Sequence, residues 1–138
     1  MSFWRNQSGN IAILFAVGFA VSAMVAAVAV DGAALYHERR SIQNAVDLAA
    51  ISAAADPGNA RAIATAVLAD AGLTGGVLTT TVGNYTPDPA KAPVARFVAG
   101  SASVNAVTVQ FERPGTLHFA RNWAPEMLIS ASATATVT

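Results

Sequence analysis

Between Arg5 and Asp31 the chain carries no charge, and from Ile11 to Val30 it is a continuous run of apolar and small residues interrupted by one serine, Ser22. An α-helix rises about 1.5 Å per residue, so such a run crosses the roughly 30 Å hydrocarbon core of a bilayer. A chain of 138 residues could hardly enclose a helix that is apolar on every side. A cleaved secretory signal is the nearer alternative, because Ala27-Val28-Ala29 offers a small-x-small cleavage pattern. The apolar core of a signal is usually about 7–15 residues, shorter than this run. The helical pattern also continues past Asp31 without a proline, which favours a retained anchor.

Orientation follows from length more than from charge. Arg5 precedes the span and Arg39-Arg40 follow it, so a bare count of cations favours the far side as cytoplasmic. The tail of residues 1–10 is short, however, and the expectation is that it stays in the cytoplasm while the long remainder is translocated. Small residues recur four apart at Ala16 and Ala20, Gly18 and Ser22, Ser22 and Ala26, and Ala29 and Ala33. That spacing lets helices approach closely in lipid, although an alanine-rich span also produces it by composition alone.

Residues 31–55 contain no proline and one glycine, and the helix is expected to continue through them. Leu35, Ile42, Val46, Ala49 and Ala53 recur at helical steps and form an apolar stripe suited to a partner. Glu38, Arg39, Gln43 and Asp47 fall mostly off it. Asp56-Pro57-Gly58 ends the helix, since the residue before a proline avoids the helical region. A second helix is expected over Ala60–Ala71, with Asn59 as its N-cap, Gly72 as its terminator, and Ile63, Val67 and Leu68 as its apolar face.

After Gly75-Gly76 the period changes to that of strands. Val77–Tyr85 is rich in valine and threonine, and TPDPAKAP is a proline-punctuated loop. In VNAVTVQFER, Val107, Val109 and Phe111 alternate with Thr108, Gln110 and Glu112. In ISASATATVT, Ile129, Ala131, Ala133, Ala135 and Val137 face one way, and serines and threonines face the other. Between these strands PGTLHFARNWAP is expected as a loop or short strand that packs Leu117, Phe119 and Trp123 inward. The resulting expectation is an α+β chain with an antiparallel sheet covered by helices on one face. It divides into a tail (1–10), a membrane helix that continues as an amphipathic exterior helix (11–55), and an exterior α+β domain (56–138).

Composition narrows the chemistry. Hydrophobic residues make up 54% and charged residues 12%, against roughly 25% charged in an average soluble domain. The net charge of zero argues against nucleic-acid binding through a basic patch, and with no cysteine there is no thiol chemistry. His37 and His118 are the only histidines, and no HExxH, phosphate-loop or GxSxG motif accompanies them. The chain therefore reads as non-enzymatic, with no cofactor, metal or small-molecule substrate. Arg39-Arg40 mark an interfacial region. Asp31 reads as the first residue in water, with pairing to an arginine of a partner helix as the alternative.

These residues also carry a resemblance. Gly9-Asn10, Ala12 and Phe15-Ala16 open the span and Val30-Asp31-Gly32 closes it; Leu35-Tyr36, Arg39-Arg40, Ile42-Gln43-Asn44-Ala45, Asp47 and Ala49-Ala50 follow. Together they resemble the Tad (tight adherence, Flp pilus) assembly proteins of the TadE/TadG-like group. Gly83-Asn84-Tyr85, Asn105-Ala106-Val107-x-Val109 and the alternating alanines from Ala131 to Ala135 are similar to the domain that follows in TadG-like proteins. The resemblance implies a bacterial inner-membrane protein with one span, a periplasmic carboxyl-terminal domain, and a structural part in assembling or anchoring a Tad pilus. It implies partners among membrane lipid and other Tad assembly proteins or pilin-like subunits, met through helix packing. The alternative is a periplasmic binding module released by signal peptidase.

Two departures from the family matter. The Asp-x-Ser-x-Ser motif of longer TadG-like proteins does not occur, so no metal site carries over. TadE-like pseudopilins are cut after a glycine and carry a glutamate at the fifth residue beyond it. Counted from Gly9, that residue is Leu14, which cannot neutralise a neighbour's amino terminus in lipid. Gly9-Asn10 is therefore expected to remain uncut.

Overall fold

The computed structural model describes residues 8–137. The first seven residues, with Arg5 and most of the short tail, and the final Thr138 lie outside the described residues. Helix α1 (Ser8–Ala54) and helix α2 (Ala60–Asp70) precede strands β1 (Val77–Tyr85), β2 (Phe97–Ala99), β3 (Ala106–Pro114) and β4 (Leu128–Thr136). The architecture is α+β, with one antiparallel sheet in the order β2-β1-β3-β4. The described chain forms two compact units. One comprises residues 8–35 with Thr116–Pro125, and the other comprises Tyr36–Gly115 with residues 126–137.

Helix α1 runs unbroken for 47 residues because no proline interrupts it and alanine dominates its sequence. Asp56, extended at φ −142° before Pro57, marks the expected stop. In the second unit Ile42, Val46, Ala49 and Ala53 of α1 are wholly buried, and Ala45, Ala50 and Ala54 nearly so. Val107, Val109 and Phe111 of β3, with Ile129 and Ala131 of β4, supply the sheet side of this core. Register explains the fit: Val109 lies opposite Ala133 and Phe111 opposite Ala131. A small residue beside each large one leaves room for the helix to settle on the sheet.

Helix α2 buries Ala60, Ala64 and Leu68, while Ile63 and Val67 are only half-buried. The expected face is thus rotated. Methyl-sized side chains one turn apart admit a close approach, which a reading weighted toward bulk overlooks. Asn59 stands at the N-cap position without a capping bond; its Nδ2 donates instead to Asp56 Oδ2 at 2.8 Å. At the other end Gly72 takes φ 75°. Its N–H donates to the Ala69 carbonyl and the Leu73 N–H to the Leu68 carbonyl, both at 2.9 Å, which makes a Schellman cap.

Strand β2 is an addition to the expected sheet. It pairs with the end of β1 through Gly83 with Ala99, Asn84 with Val98 and Tyr85 with Phe97. Gly83 permits this pairing, because a Cβ there would lie 2.3 Å from the Val98 carbonyl oxygen. Asn105 braces the same end of β1. Its Oδ1 accepts from the Tyr85 N–H at 2.7 Å and its Nδ2 donates to the Tyr85 carbonyl at 3.1 Å.

Candidate functional site

The amino-terminal part of α1 presents a long run of exposed apolar side chains. It is the one helix among the described residues long and apolar enough to cross a membrane. Ile11, Ile13, Leu14, Phe15, Val17 and Phe19 are each at least 58% exposed. Nothing among the described residues covers these side chains, so they need a partner or lipid. Gly9 and Phe15 of the opening motif lie on this surface beside Asn10, and Gly9, Gly18 and Gly32 have no atom within 4 Å of where a Cβ would stand.

Asp31, the first residue beyond the Ile11–Val30 run, is 4% exposed. Its Oδ1 accepts from the His118 N–H at 2.8 Å and its Oδ2 from the Ala120 N–H at 2.8 Å, while the Phe119 N–H reaches both oxygens at 3.1 Å. The carboxylate thus caps the 3₁₀ turn at Ala120–Asn122 from another part of the chain. Burial pushes the carboxyl pKa up. The backbone donors of Ala120, His118 and Phe119 lower it by more, aided by the attraction of a protonated His118 ring, so it lies below the ordinary aspartate value. The expectation that Asp31 is simply the first residue in water is corrected: it is an internal clasp. Sequence periodicity carries no sign of this, since the donors are main-chain groups 87–89 residues away.

The clasp also corrects the expectation for PGTLHFARNWAP. Leu117 is half-buried, but Phe119 is 54% and Trp123 77% exposed, so the segment does not pack its aromatics inward. It is held by its backbone.

The outer part of α1 places the remaining motif residues. Ile42, Ala45, Val46 and Ala49 are consumed in packing on the chain's own sheet, and Leu35 is half-buried. Gln43 Nε2 donates to Asp47 Oδ1 at 2.7 Å and to the Ser132 carbonyl of β4 at 3.1 Å, while Asn44 is exposed. Glu38 forms an ion pair with Arg113 of β3, a partner that the helical pattern alone does not reveal. Arg40 lies over the Tyr36 ring, 6.0 Å from its centroid, and Arg39 is exposed. Among the described residues no three His, Cys, Asp or Glu side chains gather as metal ligands would. A cleft of about 290 Å³ beside α2, lined by Arg61, Thr65, Leu68, Leu73, Leu78 and Phe111 among others, has Arg61 as its one charged group.

A family model described as putative Flp pilus-assembly TadE/G-like matches residues 9–56. The match coincides with α1 and its stop, and its description takes TadE-like and TadG-like proteins together. The chain matches no curated protein and no solved structure.

Proposed function

We infer from residues 9–56, which belong to the TadE/G-like Flp pilus-assembly family, that the chain is a membrane-anchored structural component that assists assembly or anchoring of a Tad (Flp) pilus. The observation that carries this reading is the double character of α1. Its first part presents large apolar side chains outward, and the same unbroken helix then supplies the core of a folded exterior unit. A surface that requires lipid or another helix is thereby joined to a domain through one element.

In this reading the protein sits in the bacterial inner membrane with its amino-terminal tail in the cytoplasm and residues 56–138 in the periplasm. Gly9, Asn10 and Phe15 open the membrane-segment motif, Asp31 and Gly32 close it just beyond the apolar run, and Arg39-Arg40 lie near the headgroups. The segment from Leu35 to Ala49 docks the exterior unit, and its partners in assembly are other Tad components or pilin-like subunits. Its role is structural rather than catalytic. Gly9-Asn10 stays intact, because Leu14 offers no carboxylate to a processed neighbour.

The absence of cysteine makes the topology directly testable. A single Ala102→Cys change at an exposed position should react with a membrane-impermeant maleimide once the outer membrane is opened. Reaction only after the inner membrane is broken would reverse the orientation. Deleting the gene should abolish surface pili, and restoring the chain should return them. A mature protein beginning near Val30 would instead establish a released periplasmic module. The continuity of α1 through Ala27–Asp31 weighs against such cleavage.

A further inference from the structure

We propose that the β3–β4 connection at Thr116–Pro125 is a membrane-interface foot, which seats Phe119, Arg121 and Trp123 in the phospholipid headgroup layer at the end of the α1 span. The proposal rests on reading Ile11–Val30 as a retained membrane helix. Three observations place the foot. Asp31 immediately follows the span and holds the N–H groups of His118, Phe119 and Ala120 at 2.8–3.1 Å, so that turn lies at the depth of the span's end. Ala27, one helical turn back on the same face, is the only residue from 9 to 30 that is not exposed. The connection belongs to the same compact unit as the span.

The side chains that the foot carries suit that depth. Phe119 and Trp123 are 54% and 77% exposed, and nothing among the described residues covers them. Tryptophan is enriched at bilayer interfaces because its ring is apolar while its N–H still finds an acceptor. Arg121, also exposed, offers a fork of donors to lipid phosphate. A carboxylate close to hydrocarbon is costly when unpartnered, and Asp31 meets that cost with backbone donors of the foot itself. Clasp and foot are therefore one device: the charge that ends the span also sets the depth of the aromatics.

The test uses the full-length chain with Trp4→Phe, which leaves Trp123 as the only tryptophan. It is reconstituted in phosphatidylcholine–phosphatidylglycerol vesicles that carry bromine either near the headgroup or deep in the acyl chain. Trp123 should be quenched more strongly by the shallow bromine than by the deep one, and should be protected from aqueous acrylamide. Adding Asp31→Ala should abolish the shallow quenching, while the protein stays in membranes washed with alkaline carbonate and keeps its circular dichroism. Trp123 freely quenched by acrylamide in the Trp4→Phe chain would overturn the proposal without any destabilising change. Shielding that vanishes when the protein is diluted with lipid would overturn it in favour of a second copy of the chain. Unchanged shallow quenching in the Asp31→Ala chain would overturn the clasp. Release by carbonate would remove the membrane reading and this proposal together, whereas retention with an aqueous Trp123 removes the foot alone.

Discussion

The two ends of α1 are built from nearly the same residues and meet opposite surroundings. Ile13 is 63% exposed, whereas Ile42 in the same helix is fully buried. Neither stretch contains proline, and both are rich in alanine, so helix formation does not distinguish them. Charge placement does. From Asp31 onward Glu38, Arg39, Arg40 and Asp47 return off the stripe of Ile42, Val46, Ala49 and Ala53, and the helix becomes amphipathic. Before Asp31 it is apolar all round and has no face to turn toward water. In the proposed reading one helix serves two solvents, and the position of its first charge separates them.

Matched substitutions break the comparison most sharply. Ile42→Ala removes a side chain from a closed core and should destabilise the exterior unit by about 2–5 kcal/mol. Ile13→Ala should leave that stability unchanged. Chemical unfolding of both variants in detergent, followed through the β-sheet signal, checks the pair. Equal effects would mean that the span contributes to folding of the exterior unit. The next largest effect is expected inside the span, where Val21→Asp should cost about 2.5–3.5 kcal/mol of insertion. It should lower the fraction of protein retained in carbonate-washed membranes, while Asn44→Asp at the exposed outer helix should not.

How much of this was legible in the sequence depends on the range over which each signal acts. Helix α1, its stop at Asp56-Pro57, the inward face of β3 and that of β4 at Ile129 and Ala131 follow from local periodicity, whereas Val137, expected on the same face, lies past the end of β4 and is 52% exposed. Strand β2 has three residues, too few for alternation to register. The buried face of α2 escaped because Ala60 and Ala64 carry weight through closeness rather than bulk. The clasp at Asp31 and the Glu38–Arg113 pair join positions far apart in the chain, so no window of sequence contains both partners. Only an uncommon location hinted at Asp31, a lone acid at the end of a long apolar run.

The Glu38–Arg113 pair gives a smaller test of the outer half of α1. Its side chains are 17% and 24% exposed, partly shielded from solvent, and it ties the helix to β3. Arg113→Ala should lower the stability of the exterior unit by about 1.5–3 kcal/mol, the range of hydrogen bonds to charged groups. Glu38→Gln, which keeps an acceptor, should cost less. A loss as large as that of Ile42→Ala would show that the pair, and not the apolar stripe, holds the helix to the sheet.

The finest distinction concerns the residue at which the two halves meet. The Asp31 pKa is lowered in the folded chain, so the carboxylate contributes stability above its unfolded pKa, about 3.9. That contribution is lost only as pH falls through the lower folded value. The amides of His118, Phe119 and Ala120 should therefore stay protected from hydrogen exchange at neutral and mildly acidic pH and lose protection only as pH falls below the ordinary aspartate range. The core around Ile42 and Val107 should hold at pH values where the clasp has already opened, because its contacts carry no charge. Asp31→Asn should remove the pH dependence and leave the amides less protected throughout. Protection that persists unchanged into strong acid, or that disappears together with the core, would mean that the turn is held by something other than the charge at the end of the span.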